Sequence, residues 1–426
     1  MLEDKESKIK IDLLIKDCTQ LLTCRKSSRD LIGLVENGYV AVSGESIVSV
    51  GSKEEVMESI DSSEAEIIDG KGKVVLPGFV DSHTHLIFGG SRAKEYSARM
   101  LTDDSEMLKR LGIKTGIMAT VEMTRKSSEE ALYKEAAGRV RRMLQAGTTT
   151  LESKSGYGLS TISEIKILEI NKKLNESLNV DVVSTFLGAH GWPEDIAKTK
   201  YIDILLKDMI PNVAEEKLAQ FCDAWCDDGH YTAKECEKIF KTARDYGLEP
   251  KIHTDAYSYI GGSDLAADME MVSADHLNYT PRTVVKKLAR KDVPGVLLPG
   301  IDFAVNHPKP FEVRSMIEEN LIIALATNCC PGCYIESMQF IIALACRQHR
   351  MSVQEAIAAA TLGGAFALGL NKDRGSLEVG KLADIQILDA SQYEDVAYHI
   401  GGNLVEKVIK RGKIVIDNDP EYKEAN

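Results

Sequence analysis

Between residues 76 and 375 the chain alternates repeatedly between short apolar runs and amphipathic stretches. The runs include GTTTLES, VDVVSTFLGAH, LEPKIHTDAY, DMEMVSADHL, VPGVLLPG and LIIALATN, while EEALYKEAAGRVRRMLQA sets Leu132, Ala136, Val140, Met143 and Leu144 on one helical face. Strand and helix alternating over about 300 residues argue for a parallel sheet with crossover helices, most simply a closed (β/α)8 TIM-type barrel, an α/β fold. The two ends read differently. Residues 1–75 (IDLLIKDCTQLLT, GYVAVSGESIVSVG, AEIIDGKGKVV) and 376–426 (GSLEVGKLADIQILD, VEKVIKRGKIVID) are short strands broken by Gly and Asn turns, with no helix of useful length expected in the first 75. They are expected to pair into one small β-sandwich domain beside the barrel. The tail PEYKEAN is the one segment expected to be loose.

Composition narrows the function classes. Of 426 residues, 44% are apolar and 27% charged, the balance of a globular chain with a sizeable core. Acidic residues outnumber basic ones 65 to 52, so 65 − 52 gives a net charge of −13 and makes nucleic acid or an anionic membrane a poor partner. No run approaches the roughly 18 apolar residues of a membrane span, and the charged start MLEDKESKIKIDLLIK lacks a signal-peptide pattern, so a cytoplasmic location is expected. The cysteines at 18, 24, 222, 226, 236, 329, 330, 333 and 346 contain no CxxC answered by a second, and most read as small core residues.

In LPGFVDSHTHLIFGGSR an apolar strand runs into His83-Thr84-His85, and strand side chains alternate, so the two histidines share a face. At the C-terminal end of a barrel strand that face looks into the active-site mouth. His253 in KIHTDAY and His276 in SADHL close two further strands. Each alone reads more readily as a structural or surface histidine; together they converge on one mouth. Three neutral imidazoles with an open position form the ligand set of a catalytic metal, usually zinc, that activates water. A closed structural zinc site would instead be spelled with closely spaced cysteines.

LPGFVDSHTHLIFGGSR, ESKSGYGLS, STFLGAH, KIHTDAY, SADHL, VLLPG, PGCYIESM and GSLEVGKLADI, in that order, resemble the imidazolonepropionase family of the amidohydrolase superfamily. PGFVDSHTH marks the superfamily; GGSR, KSGYGL and FLGAH are more specific to the family. The resemblance implies a barrel with a sandwich built from both termini, a homodimer, and one zinc or iron ion (Zn2+, Fe2+ or Fe3+) per chain. It also implies hydrolysis of 4-imidazolone-5-propanoate to N-formimidoyl-L-glutamate in histidine degradation. By the same resemblance His83, His85 and His253 hold the metal, and Arg92 meets the substrate carboxylate. Tyr157 and His190 contact substrate, and His276 is the catalytic residue that hydrogen-bonds the attacking water or the oxyanion. A guanidinium suits a carboxylate because it binds in bidentate fashion; a surface arginine pairing with Glu95 is the alternative for Arg92.

Two positions depart from the family. Its fourth metal residue is an Asp, where LATNCCPGC here places Asn328, which can lend a carbonyl oxygen but carries no charge. A Glu or Gln that follows the third metal histidine by three residues is here Ala256. The same strand end puts Cys330 and Cys333 where the family has Asn and a small hydroxyl residue, with Gly332 retained, and all four of Ala256, Cys330, Gly332 and Cys333 fall among the substrate-lining positions. Asp255 and Asp275 lie beside His253 and His276 but are present in the family already. Cys330 has two readings, a thiolate turned to the metal or an inert packed thiol. Related cyclic-amide hydrolysis, heterocycle deamination and a catalytically weakened binding protein remain the rival functions.

Overall fold

The computed structural model describes residues 8–25, 30–102 and 104–418, so the PEYKEAN tail lies outside the described residues. The chain divides into two compact units: one runs up to Val80, with Met143–Thr149 and the chain from Ser337 onward, and the other holds Asp81–Arg142 and Thr150–Glu336.

In the first unit the two ends of the chain share one sheet. Val74–Pro77 pairs antiparallel with Ile385–Leu388, Pro77 opposite Ile385 and Val74 opposite Leu388. The sheet continues on one side through Leu13–Leu22, Leu34–Ser43 and Ser46–Gly51, and on the other through Val405–Lys410 and Lys413–Asp417. Leu13, Ile15, Val40, Val42, Val75, Ile385, Ile387 and Ile409 pack into its buried cluster. Burying this alternating face is what forces the distant ends together, because neither end alone supplies enough apolar surface. One element was not anticipated: Lys53–Ser59 is a helix. Its signal is local, a capping box in which Ser52 Oγ accepts from Glu55 N while Glu55 Oε2 accepts from Ser52 N.

The barrel has eight strands in chain order: Phe79–Asp81, Thr148–Lys154, Asp181–Ala189, Phe221–Cys226, Ile252–Thr254, Ala274–His276, Gly295–Leu297 and Ile323–Leu325. The pairings from the second to the eighth are parallel. Past the strand ends, hydrogen bonds tie the first to its neighbours on both sides. Lys154 N donates to Thr84 O at 2.9 Å, Asn328 N to His83 O at 3.0 Å, and His85 N to Cys329 O at 2.9 Å. The helices between them follow their apolar periodicity. In Glu129–Gln145 the expected face of Leu132, Ala136, Val140, Met143 and Leu144 is buried. Ala233–Asp245 starts on a Thr232/Glu235 capping box and buries Cys236, Ile239, Phe240 and Ala243, the i, i+3, i+4, i+7 stripe.

Candidate active site

The mouth of the barrel is where strand polarity delivers the histidines. His83 and His85 lie just beyond the first strand, and His253 lies in the fifth; one ring nitrogen from each falls within 4.8 Å of the others. All three are buried. The protonation of two of them follows from their neighbours. His83 Nδ1 lies 2.6 Å from Asp275 Oδ2, and His253 Nδ1 lies 2.9 Å from Asp223 Oδ2. A carboxylate accepts, so each Nδ1 carries the hydrogen and each Nε2 keeps a lone pair. His83 Nε2 makes no hydrogen bond, and the Nε2 atoms of His253 and His85 face each other at 3.4 Å. With metal–nitrogen bonds of about 2.0–2.1 Å, a tetrahedral edge is about 3.3–3.4 Å. The His253–His85 pair matches that edge, and with a His83 nitrogen within 4.8 Å of both the buried lone pairs fit a divalent cation. The buried Oδ1 of Asn328 makes no hydrogen bond. Its backbone takes φ +49°, a left-handed conformation that Asn tolerates, and buried Asp81 steadies the segment by accepting from Thr327 N and Oγ1. Burial lifts the Asp81 carboxyl to about 7.

The polar residues expected around substrate gather at the same mouth. His190 stacks on His85 with centroids 5.0 Å apart, and Tyr157 stands 5.3 Å from His190 and 5.7 Å from His85. Burial lowers His190 to about 3, so its ring is neutral. The SGYGL loop that carries Tyr157 is built around one buried side chain: Glu164 accepts from the backbone N–H groups of Gly156, Gly158 and Leu159 at 2.7–2.8 Å. Gly156 has φ +107°, and a Cβ there would meet Leu187 O at 2.9 Å, so only glycine fits. His276 is half-buried at φ +84°, its ring 5.4 Å from His253 and 5.6 Å from His83. Burial of its ring pushes it well below the ordinary histidine range.

The profile described as Amidohydrolase family matches residues 66–111 and 91–416. Among solved structures, a zinc-bound adenosine deaminase from Xanthomonas campestris superposes with a TM-score of 0.74 at 16% identity, covering 97% of this chain and 94% of its own. At that identity the likeness establishes the fold alone. The imidazolonepropionase of Alkaliphilus metalliredigens (strain QYMF) is 40% identical over 419 residues, 96% of this chain and 98% of its own. That of Geobacillus kaustophilus (strain HTA426) is 39% identical over 423 residues, 96% and 99%. The chain belongs to the imidazolonepropionase family of amidohydrolases.

Within an imidazolonepropionase framework the departures have local explanations. Arg92 pairs with Glu95, through Nε and Nη2 at 2.6 and 2.9 Å, while Nη1 lies beside Gly332, 3.7 Å from where a Cβ there would sit. Burial works against its charge, and Glu95 more than restores it. Cys330 and Cys333 exchange backbone hydrogen bonds across Pro331-Gly332. Cys330 Sγ also borders Gly332, and burial raises its thiol, which favours the packed-thiol reading over a thiolate. Burial raises Cys333 further, and its Sγ donates to Thr327 O. At buried Ala256 the backbone O accepts from His307 Nε2 at 2.9 Å. Asp255 turns away from the histidines to accept from Thr254, Ser263 and Thr280 hydroxyls, and so ties the loop instead. Sequence reasoning missed Asp223, Glu152, Lys154 and Lys251, all fully buried. The signal was present in FCDAWC and TLESK, where charged residues interrupt strand-like apolar runs.

Proposed function

We propose that this protein hydrolyses the ring amide of 4-imidazolone-5-propanoate to N-formimidoyl-L-glutamate, with His83, His85 and His253 holding one zinc or iron ion. The observation that carries this reading is the convergence of three buried histidine nitrogens at the barrel mouth of an imidazolonepropionase-family chain. A divalent metal there supplies activated water near neutral pH and Lewis-acid polarisation of a carbonyl. The chain's own residues do the rest. Arg92 Nη1 receives the propionate carboxylate. Tyr157 and His190 fix the planar ring against the floor formed by His85, and Cys330, Gly332, Cys333 and Ala256 shape its remaining walls. Neutral His276 takes the proton released by the attacking water at a ring nitrogen and returns it to the departing ring nitrogen. Asn328 Oδ1 completes the donor set without a charge.

The described helices include none long and apolar enough to cross a membrane. The reading extends to a cytoplasmic homodimer acting on a small molecule. The rival of a weakened homologue rests on Asn328 and Ala256, which stand where the family resemblance leads one to expect an Asp and a Glu or Gln. The test follows loss of imidazolone absorbance alongside metal analysis. The parent should turn over substrate with one equivalent of metal, and the variant carrying both His83→Ala and His85→Ala should lose both. A double variant that retains one tightly bound equivalent would place the metal elsewhere.

A further inference from the structure

Beneath the histidines lies a layer of buried charge that the proposed chemistry does not use. Lys154, at the end of the second strand, is fully buried. Its Nζ donates to Asp223 Oδ2 at 2.7 Å and to Glu152 Oε1 at 3.0 Å, and it lies 3.5 Å from Asp275 Oδ2. Asp223 and Asp275 stand on the fourth and sixth strands, so the three groups come from alternate strands, the arrangement by which barrel interiors are layered. Glu152 is held in turn by Thr185 Oγ1 at 2.6 Å and by Lys251 Nζ at 3.3 Å.

The decisive detail is which oxygens Lys154 touches. Asp223 Oδ2 is the atom that faces His253 Nδ1, and Asp275 Oδ2 is the atom that faces His83 Nδ1. One ammonium therefore sits against both carboxylate oxygens that orient two of the three metal histidines. We infer that Lys154 is a positioning residue for the metal centre, clamping Asp223 and Asp275 so that His83 and His253 present their Nε2 lone pairs at a fixed separation. Lys251 also acts on Asp275 and holds Glu152, but Lys154 is the ammonium in contact with both histidine-facing oxygens, and without it the repulsion between Asp223 and Asp275 favours swinging either one away from its histidine. Lysine suits the place because a compact point charge can sit between three oxygens, where a planar guanidinium cannot.

The inference rests on the metal-site reading above, and one titration separates the two. Parent, Lys154→Met and Lys154→Arg proteins are stripped with chelator and titrated with Co2+, whose visible absorption reports ligand geometry, and with Zn2+ in competition. Clamping predicts that Lys154→Met weakens binding by roughly 10- to 100-fold, the usual cost of losing an outer partner of a ligating histidine, with an altered Co2+ band. Simple counter-charge predicts the opposite sign, since deleting a cation beside a dication tightens binding. Binding by Lys154→Met that is unchanged within threefold, or tighter, overturns the inference while leaving the metal site standing. A parent that binds no Co2+ overturns both. If Lys154→Met does not fold, Lys154→Arg decides: parent-like affinity and an unshifted band overturn the clamp, and weaker binding with a shifted band supports it.

Discussion

On the proposed reading Asn328 offers a neutral oxygen where the family resemblance leads one to expect a carboxylate, and the difference is one of charge and of protons. An amide can neither accept a proton nor attract a dication as a carboxylate does. With His276 as the acceptor, Asn328→Asp should tighten metal binding at least tenfold and leave turnover within a few-fold. A tenfold rise in turnover would instead mark the amide as the limiting substitution. His276→Ala should lower kcat by about 10²–10⁴, the worth of a positioned general base; near-full turnover would exclude it. Glu95 holds Nε and Nη2 of Arg92 and leaves Nη1 outside that pair, the atom the proposed function gives to the substrate carboxylate. Losing a desolvated charge pair costs about 2–5 kcal/mol, so Arg92→Ala should reduce kcat/KM by roughly 30- to 4000-fold. A change below about threefold in a folded variant would return the arginine to the surface.

At the scale of elements, the strand ends supply the chemistry and buried anchors set the loops. Glu164 is the anchor of the 155–159 loop, satisfying three backbone donors from the first turn of the helix Thr161–Ser177. Glu164→Leu strands those donors, each at about 1–3 kcal/mol when buried. Thermal unfolding should move down by several degrees. KM should rise more than kcat falls, because Tyr157 loses its place while the histidines keep theirs; an unchanged KM would remove Tyr157 from the substrate contacts. The first strand shows how far local pattern reaches. LPGFVDSHTH announced the strand and the convergence of His83 with His85, although the strand ends at Asp81 and the two histidines lie beyond it, whereas FCDAWC, the fourth strand, passed unread because Asp223 breaks its apolar run.

Across the molecule, neutral buried histidines couple stability to pH. Burial holds His190 at about 3 and lowers His83, His85 and His276, while the unfolded chain titrates near 6.5. The folded pKa values are depressed, so below 6.5 the unfolded state binds more protons and stability falls as pH falls. For His190 alone, pH 5.5 costs about 1.4 kcal/mol relative to high pH. The chelator-treated protein should therefore unfold at a lower temperature at pH 5.5 than at pH 7.5, as differential scanning calorimetry would record. Asp81, raised to about 7, works with the opposite sign over the same range, so the histidine contribution is read as the fall in unfolding temperature left after that gain, and a flat or rising profile would mean that the histidines do not outweigh it.

What the amino-acid order settled by itself was periodic or local: the 2- and 3.6-residue repeats behind strands and helices, the HxH pair, the β-rich ends, and the motifs that align with imidazolonepropionases. These are legible because each depends on neighbours a few residues apart. The tertiary structure alone decided which distant groups meet. Nothing in the spacing of Lys154, Asp223 and Asp275 says that one ammonium touches two carboxylate oxygens. Nor does it say that those same oxygens turn His253 and His83 toward a common point. Barrel closure brings alternate strands into one layer, and burial makes every unpaired charge there too costly to leave unmatched.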